Sequence, residues 1–233
     1  MKIQNFVISN FDGRLLMYIQ LNSQIICYEK TGEGKPIILL HGNGEDHHIF
    51  DELTDILQHQ YTVYAMDLRG HGESATPKEY HYRDFAKDLL ALIDALDIQK
   101  PVVLGYSDGA IATILAAITR PDAFEKIILC GANTSPKGLK HGAIHDIKKA
   151  YKQTKDERLR LMLDEPDINE MDLSMIRTPA LVVAGENDCV KESDTKKICD
   201  GIGGARMFIL PKEDHSSYIN HSTKIYDYLR GEI

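Results

Sequence analysis

Six short apolar runs pace this chain, at residues 37–40, 62–66, 102–104, 127–130, 181–184 and 207–210. Each is strand-sized, each ends in glycine-rich or polar punctuation, and helical patterns follow, which is how a parallel sheet flanked by helices reads. Ahead of them, residues 15–20 and 24–28 flank "LNSQ" and predict an antiparallel hairpin on the edge of that sheet. Eight strands in a mostly parallel sheet, with helices on both faces, are therefore expected. Between 81 and 98 the apolar positions Tyr82, Phe85, Leu89, Ile93 and Leu96 step by three and four, predicting an amphipathic helix. Two more helices are expected at 107–119 and 218–229. At 233 residues, the chain is the size of one α/β domain with a single sizeable core, so 1–233 is read as one domain.

One segment breaks the rhythm. Residues 134–176 are long, charged and helix-prone without a strand-like run, and an excursion of that length in an α/β domain is expected to be a short helical lid. Its first half is basic (Lys137, Lys140, Lys148, Lys149) and its second acidic (Asp164, Glu165, Asp167, Glu170). Two readings fit that division: ordinary solvated helix faces, or a charge-selective pocket rim. Elsewhere, no apolar stretch approaches the ~18 residues of a membrane span, and the amino terminus has no signal-like run, so a cytoplasmic protein without a membrane partner is expected. A net charge of −8 argues against a nucleic-acid surface. Cys27, Cys130, Cys189 and Cys199 are widely spaced and read as reduced, mostly structural thiols.

Directly after the run at 102–104 comes "GYSDG", residues 105–109. A serine bracketed two positions away by small residues, between a strand and a helix, is the pattern of a nucleophile elbow. The backbone at Ser107 would be strained, and any side chain at Gly105 or Gly109 would collide with neighbouring elements. Such a turn lifts the hydroxyl to a helix amino terminus, where free N–H groups face developing negative charge. A serine hydroxyl needs a base, and the base an orienting acid. In this topology both follow the nucleophile, acid first. "AGENDCV" offers Asp188 beyond one strand and "EDHSSY" offers His215 beyond the next. Glu186 and Asp214 are rival acids, but Asp188 lies further out over the sheet edge, and Asp214 adjoins His215 too closely to reach its ring.

An oxyanion needs two donors, and the backbone N–H groups of Asp108 and Asn43 are the candidates, the second from the loop "HGNG" at 41–44. Asp108 and Tyr106 are also candidate substrate contacts. The Asp108 carboxylate either complements the amino end of its own helix or meets a cationic group on the substrate, such as an ammonium. His41 reads as a structural residue of its loop. His47 and His48 lack a carboxylate at metal-ligand spacing, so no metal is expected. Asp67 and Arg69 in "DLRGHGES" read as scaffolding that bridges loops.

Together "LLHGNGE", "MDLRGHGES", "LGYSDGA", "AGENDCV" and "EDHSSY" resemble the α/β-hydrolase superfamily, in its order and across residues 36–230. Within it, "GYSDGA" followed by "ILCGAN" is similar to the valacyclovir hydrolase and biphenyl-hydrolase-like group. The resemblance implies an α/β-hydrolase fold, a catalytic Ser107, Asp188 and His215, and a cap over the pocket; the insert here is compact and lacks the aromatic richness of a large cap. The expected function is a carboxylesterase-like serine hydrolase that needs no cofactor, acts on a small-molecule ester and works as a monomer or homodimer. Acyl transfer, thioester hydrolysis, carbon–carbon bond hydrolysis, a peroxide-using relative and a slow-turnover ligand receptor remain the alternatives on the same scaffold.

Overall fold

The computed structural model describes residues 5–11 and 14–233. Nine strands form one sheet: β1 (Asn5–Phe11), β2 (Arg14–Leu21), β3 (Gln24–Thr31), β4 (Lys35–Leu40), β5 (Tyr61–Met66), β6 (Val102–Tyr106), β7 (Lys126–Cys130), β8 (Ala180–Gly185) and β9 (Arg206–Leu210). Their spatial order is β1-β2-β3-β5-β4-β6-β7-β8-β9. All eight expected strands are present, and β1 adds a ninth, antiparallel to β2. From β4 to β9 every pairing is parallel, while β3 joins β5 antiparallel. Asn22, at φ +52°, supplies the left-handed residue of the two-residue turn between β2 and β3.

The helices are α1 (Asp51–Leu57), α2 (Tyr82–Ala95), α3 (Asp108–Thr119), α4 (His141–Thr154), α5 (Glu157–Asp164), α6 (Glu170–Ser174), α7 (Glu192–Gly201) and α8 (Lys224–Leu229). Alternation along β4 divides the core. Ile38 and Leu40 pack on one face with Phe85 and Leu89 of α2, Ile111 and Ile114 of α3 and Ile198 of α7. Ile37 and Leu39 pack on the other with Leu53 and Leu57 of α1 and Ile225 and Leu229 of α8. Side chains two apart share a face of a strand, so buried strands of a parallel sheet are apolar throughout.

The last helix is shorter than the expected 218–229. Residues 218–221 form turns instead: His221 sits at φ +46°, outside helical space, and its N–H donates to Ile49 O. The excursion at 134–176 is helical as expected, holding α4, α5 and α6 between β7 and β8. No residue of α4 is buried, which fits solvated faces for its lysines. Beside it a cleft of about 610 Å³ is lined by charges of both signs, Lys137, Lys148 and Lys191 with Asp164 and Asp167, rather than by one sign. Among the described residues no helix is long and apolar enough to cross a membrane.

Candidate active site

Parallel strands place their carboxyl ends on one edge, and an open α/β sheet gathers its chemistry there. Here β4 lies beside β6, pairing Leu40 with Gly105, and β8 lies beside β9, pairing Gly185 with Leu210. The loops that leave these four strands carry Asn43, Ser107, Asp188 and His215.

Ser107 occupies φ +52°, ψ −113°, a conformation that costs a side-chain-bearing residue on the order of 1–3 kcal/mol. The turn holds because its neighbours fix it: Ser107 N–H donates to Cys130 O at 2.8 Å, and Gly109 N–H to His41 O at 3.1 Å. A Cβ on Gly105 would stand 2.4 Å from Gly109 O, and one on Gly109 2.3 Å from Leu40 O. Both bracketing glycines are therefore required by close backbone approach, as the sequence suggested.

His215 Nε2 lies 3.1 Å from Ser107 Oγ, and its Nδ1 lies 2.7 Å from Asp188 Oδ1. A neutral ring with its proton on Nδ1 satisfies both contacts, donating to the carboxylate and accepting from the hydroxyl. Asp188 is further held by the N–H of Val190 at 2.8 Å and of Gly185 at 3.4 Å. Burial disfavours its charge, but His215 and these N–H groups outweigh burial and keep the carboxyl below its usual range. Burial likewise opposes the imidazolium, and Asp188 together with Cys189 overcomes it, so the ring's pKa is raised. The rival acids are engaged in their own loops: Glu186 accepts from Lys212 N–H, and Asp214 caps Ser216 and Ser217 N–H.

Between the elbow and Asp188 runs β7, and the ring of His215 has to cross its end. Gly131 makes room at φ +64°: a Cβ there would stand 2.7 Å from His215 Cε1 and 2.9 Å from Nδ1. On the other side Tyr106 buttresses the ring, with centroids 5.2 Å apart.

The loop at 41–45 lies against the nucleophile, since a Cβ on Gly42 would come within 3.1 Å of Ser107 Cβ. His41 is structural, donating from Nδ1 to Gly42 O and accepting at Nε2 from Leu68 N–H, and burial lowers its pKa. Asp108 opens α3, so its N–H has no intrahelical acceptor. The Asn43 side chain ties the two donor segments together, donating to Asp108 Oδ2 at 2.9 Å and to Arg158 O of α5 at 3.1 Å.

The Asp108 and Tyr106 side chains are the substrate contacts expected from the sequence. Their exposures in this structure are 1% and 3%. The Asp108 carboxylate accepts from Tyr82 Oη at 2.7 Å as well as from Asn43, a pairing with neutral donors that neither earlier reading of this residue contained. Burial raises its pKa to about 6 despite those bonds.

Glu45 escaped sequence reasoning. Its Oε2 accepts from Gly42 N–H at 3.0 Å and its Oε1 from Asn220 Nδ2 at 2.6 Å, joining the loop after β4 to the segment after His215. Burial pushes its pKa up. Only its place in "HGNGE" could have hinted at the first contact. The scaffolding expected of "DLRGHGES" is present: Asp67 accepts from His47 and from Glu73 N–H, and Arg69 forks onto Asp88 with two contacts of 2.7 Å.

Residues 35–154 match the profile of the alpha/beta hydrolase fold. The chain belongs to that family. This α/β-hydrolase is 28% identical over 234 residues to the serine hydrolase BPHL of Homo sapiens, covering 86% of this chain and 80% of that protein. It is 36% identical over 118 residues to karrikin insensitive 2 receptor B of Petunia hybrida, covering 47% of this chain and 41% of the receptor. Among solved structures, an esterase from Exiguobacterium antarcticum superposes with a TM-score of 0.81 at 19% identity, over 92% of this chain and 98% of the esterase. That last likeness is one of fold.

Proposed function

We propose that this α/β-hydrolase cleaves a carboxylic ester of small to medium size through an acyl-enzyme. The observation that carries the reading is the unbroken chain from Ser107 Oγ through both nitrogens of His215 to Asp188. His215 takes the hydroxyl proton as Ser107 attacks the carbonyl carbon, then passes it to the leaving alcohol. Asp188 holds the Nδ1–H tautomer and stabilises the imidazolium that forms. The N–H groups of Asn43 and Asp108 receive the oxyanion, each contributing roughly 2.7–4 kcal/mol to the transition state. Water activated by the same ring releases the acid. The helices at 134–176 act as a short lid, anchored to the site through Asn43 and Arg158. No step in this scheme calls for a cofactor.

The test is labelling by a fluorophosphonate together with turnover of a panel of acyl, thioacyl and amino esters. Wild type should be labelled on Ser107 and turn over repeatedly, and Ser107→Ala should do neither. Labelling at another residue, or ester turnover surviving in Ser107→Ala, would refute the assignment. Similarity to a receptor across 47% of this chain supports a second reading, a slow-turnover ligand receptor. Burst kinetics with an activated ester separates the two: a single stoichiometric burst favours the receptor, and continued turnover the hydrolase.

A further inference from the structure

Asp188, Cys189 and His215 each bring one metal-ligating atom to a common point, and these atoms all lie within 4.8 Å of one another. We propose that this trio is an inhibitory site for a thiophilic divalent ion such as zinc, built into the relay itself. The inference rests on the reading of Asp188 and His215 as the catalytic acid and base, and adds a means of switching them off.

Three donor types converge here: a carboxylate, a thiol and an imidazole. Borderline and soft ions choose that set, while magnesium and calcium, which prefer all-oxygen shells, do not. Three protein ligands with a fourth position left to water is an ordinary arrangement for zinc. In a tetrahedral shell a sulfur and a nitrogen ligand of one zinc stand about 3.6 Å apart, from Zn–S near 2.3 Å and Zn–N near 2.1 Å, so the ligand atoms must draw together by up to about 1.2 Å to close the site.

The ligand loop is held in place for this. Cys189 O accepts from Lys140 N–H at 2.8 Å, Val190 bridges to Leu139, and Asp188 is fixed by the N–H of Val190. His215 rides on the loop after β9, so its ring is the partner that yields. Cys189 and His215 are each partly exposed, which leaves a path for the ion.

Occupation would stop the chemistry through the tautomer. Catalysis needs the ring proton on Nδ1, facing Asp188, and a free lone pair on Nε2, facing Ser107. An ion on Nδ1 takes that lone pair, so the single ring proton must sit on Nε2, where it blocks the attack of Ser107. The Cys189 thiol releases its proton to water as it binds. The wrong tautomer in such a relay costs on the order of 10⁴-fold in turnover.

The experiment titrates ester hydrolysis with zinc chloride and, separately, magnesium chloride, in wild type, Cys189→Ser and Cys199→Ser. Inhibition is read as the ratio of rates with and without metal in the same protein, so a changed basal rate cancels. In parallel, cadmium is added and the cadmium–thiolate absorption recorded, a readout that needs no turnover. Zinc should inhibit wild type and Cys199→Ser alike, EDTA should restore the rate, and magnesium should do nothing. In Cys189→Ser the inhibition constant should rise at least roughly tenfold, because outer partners of a metal site already cost 10- to 100-fold. The cadmium band should be present in wild type and lost in Cys189→Ser. Equal zinc inhibition in wild type and Cys189→Ser, or a cadmium band that survives that substitution, overturns the proposal. A protein that hydrolyses no ester yet shows the Cys189-dependent band keeps the metal site and removes the catalytic reading, so the two failures are distinct.

Discussion

Two histidine–aspartate pairs stand in this molecule at nearly the same distance. His47 Nδ1 lies 2.8 Å from Asp67 Oδ1, and His215 Nδ1 lies 2.7 Å from Asp188 Oδ1. In both pairs burial opposes charge and the partner overcomes it, so both carboxyls are lowered and both rings raised. The difference lies at the other nitrogen. His215 Nε2 meets Ser107 Oγ, and 23% of the His215 side chain is exposed, whereas His47 is 3% exposed and its Nε2 has no hydrogen-bond partner among the described residues. Asp67 is also committed to two backbone N–H groups, of His47 and Glu73, which clamp the loops after β4 and β5 together. A buried carboxylate on an imidazole is thus a clamp or half of a relay, according to what the far nitrogen can reach.

The hardest test of that distinction is Ser107→Ala, which should lower kcat/KM on the order of 10⁴- to 10⁶-fold while leaving the melting temperature near that of wild type. Next in size, Asp188→Asn should cost about 10⁴-fold in kcat by permitting the wrong tautomer. Asp67→Asn should instead leave kcat within about tenfold and remove on the order of 3 kcal/mol of stability in urea unfolding, as breaking a buried pair does. If the two asparagine variants lose activity equally, the clamp and the relay are not separate devices.

Gly131→Ala probes the corridor through which only one of the two rings passes. Its Cβ would stand 2.7 Å from His215 Cε1, so a displaced ring and a loss of about 100-fold in kcat are expected, with the fold retained by circular dichroism. A variant of wild-type activity would show that the ring needs no such gap. Asn43→Ala, which removes a side-chain tether but keeps both backbone donors, should cost less, about tenfold, because the donors lose aim rather than number.

The smallest effect is a pH dependence in which stability and activity pull in opposite directions. A ring whose pKa is raised on folding contributes stability that is full below its unfolded value of 6.5 and is lost as pH climbs through the folded value. His47 and His215 both follow that sign. For His215, however, loss of the proton creates the base, so kcat/KM should rise over the same interval, on a limb centred above pH 6.5. His47→Gln should flatten the stability profile while leaving the limb in place. A limb that moved with His47 would tie catalysis to the wrong pair.

Much of the site was legible because its signals are local. The glycine brackets of "GYSDG" report a backbone conformation, and a backbone conformation is set by neighbours in sequence. Strand ends followed by Asp188 and His215 could be read from apolar runs and chain order. Glu45 with Asn220, Tyr82 with Asp108, and Gly131 beneath His215 could not, because each depends on two distant segments arriving at one point. Asp108 shows the limit most clearly. Its neighbours in sequence suggested a helix terminus or a substrate ammonium, and what decided its partner was Tyr82, delivered by the packing of α2 against α3.

By itself the sequence determined the order of eight of the strands and the helices between them that carry a clear period, the strained serine, and which acid and base could follow it, since these arise from short-range sterics and from the period of apolar residues. Tertiary structure alone decided how closely the imidazole approaches the serine, which glycine clears its path, and which carboxylates are locked to neutral donors. Those outcomes depend on distances of a few tenths of an ångström between segments far apart in the chain, and no periodicity along one dimension encodes them.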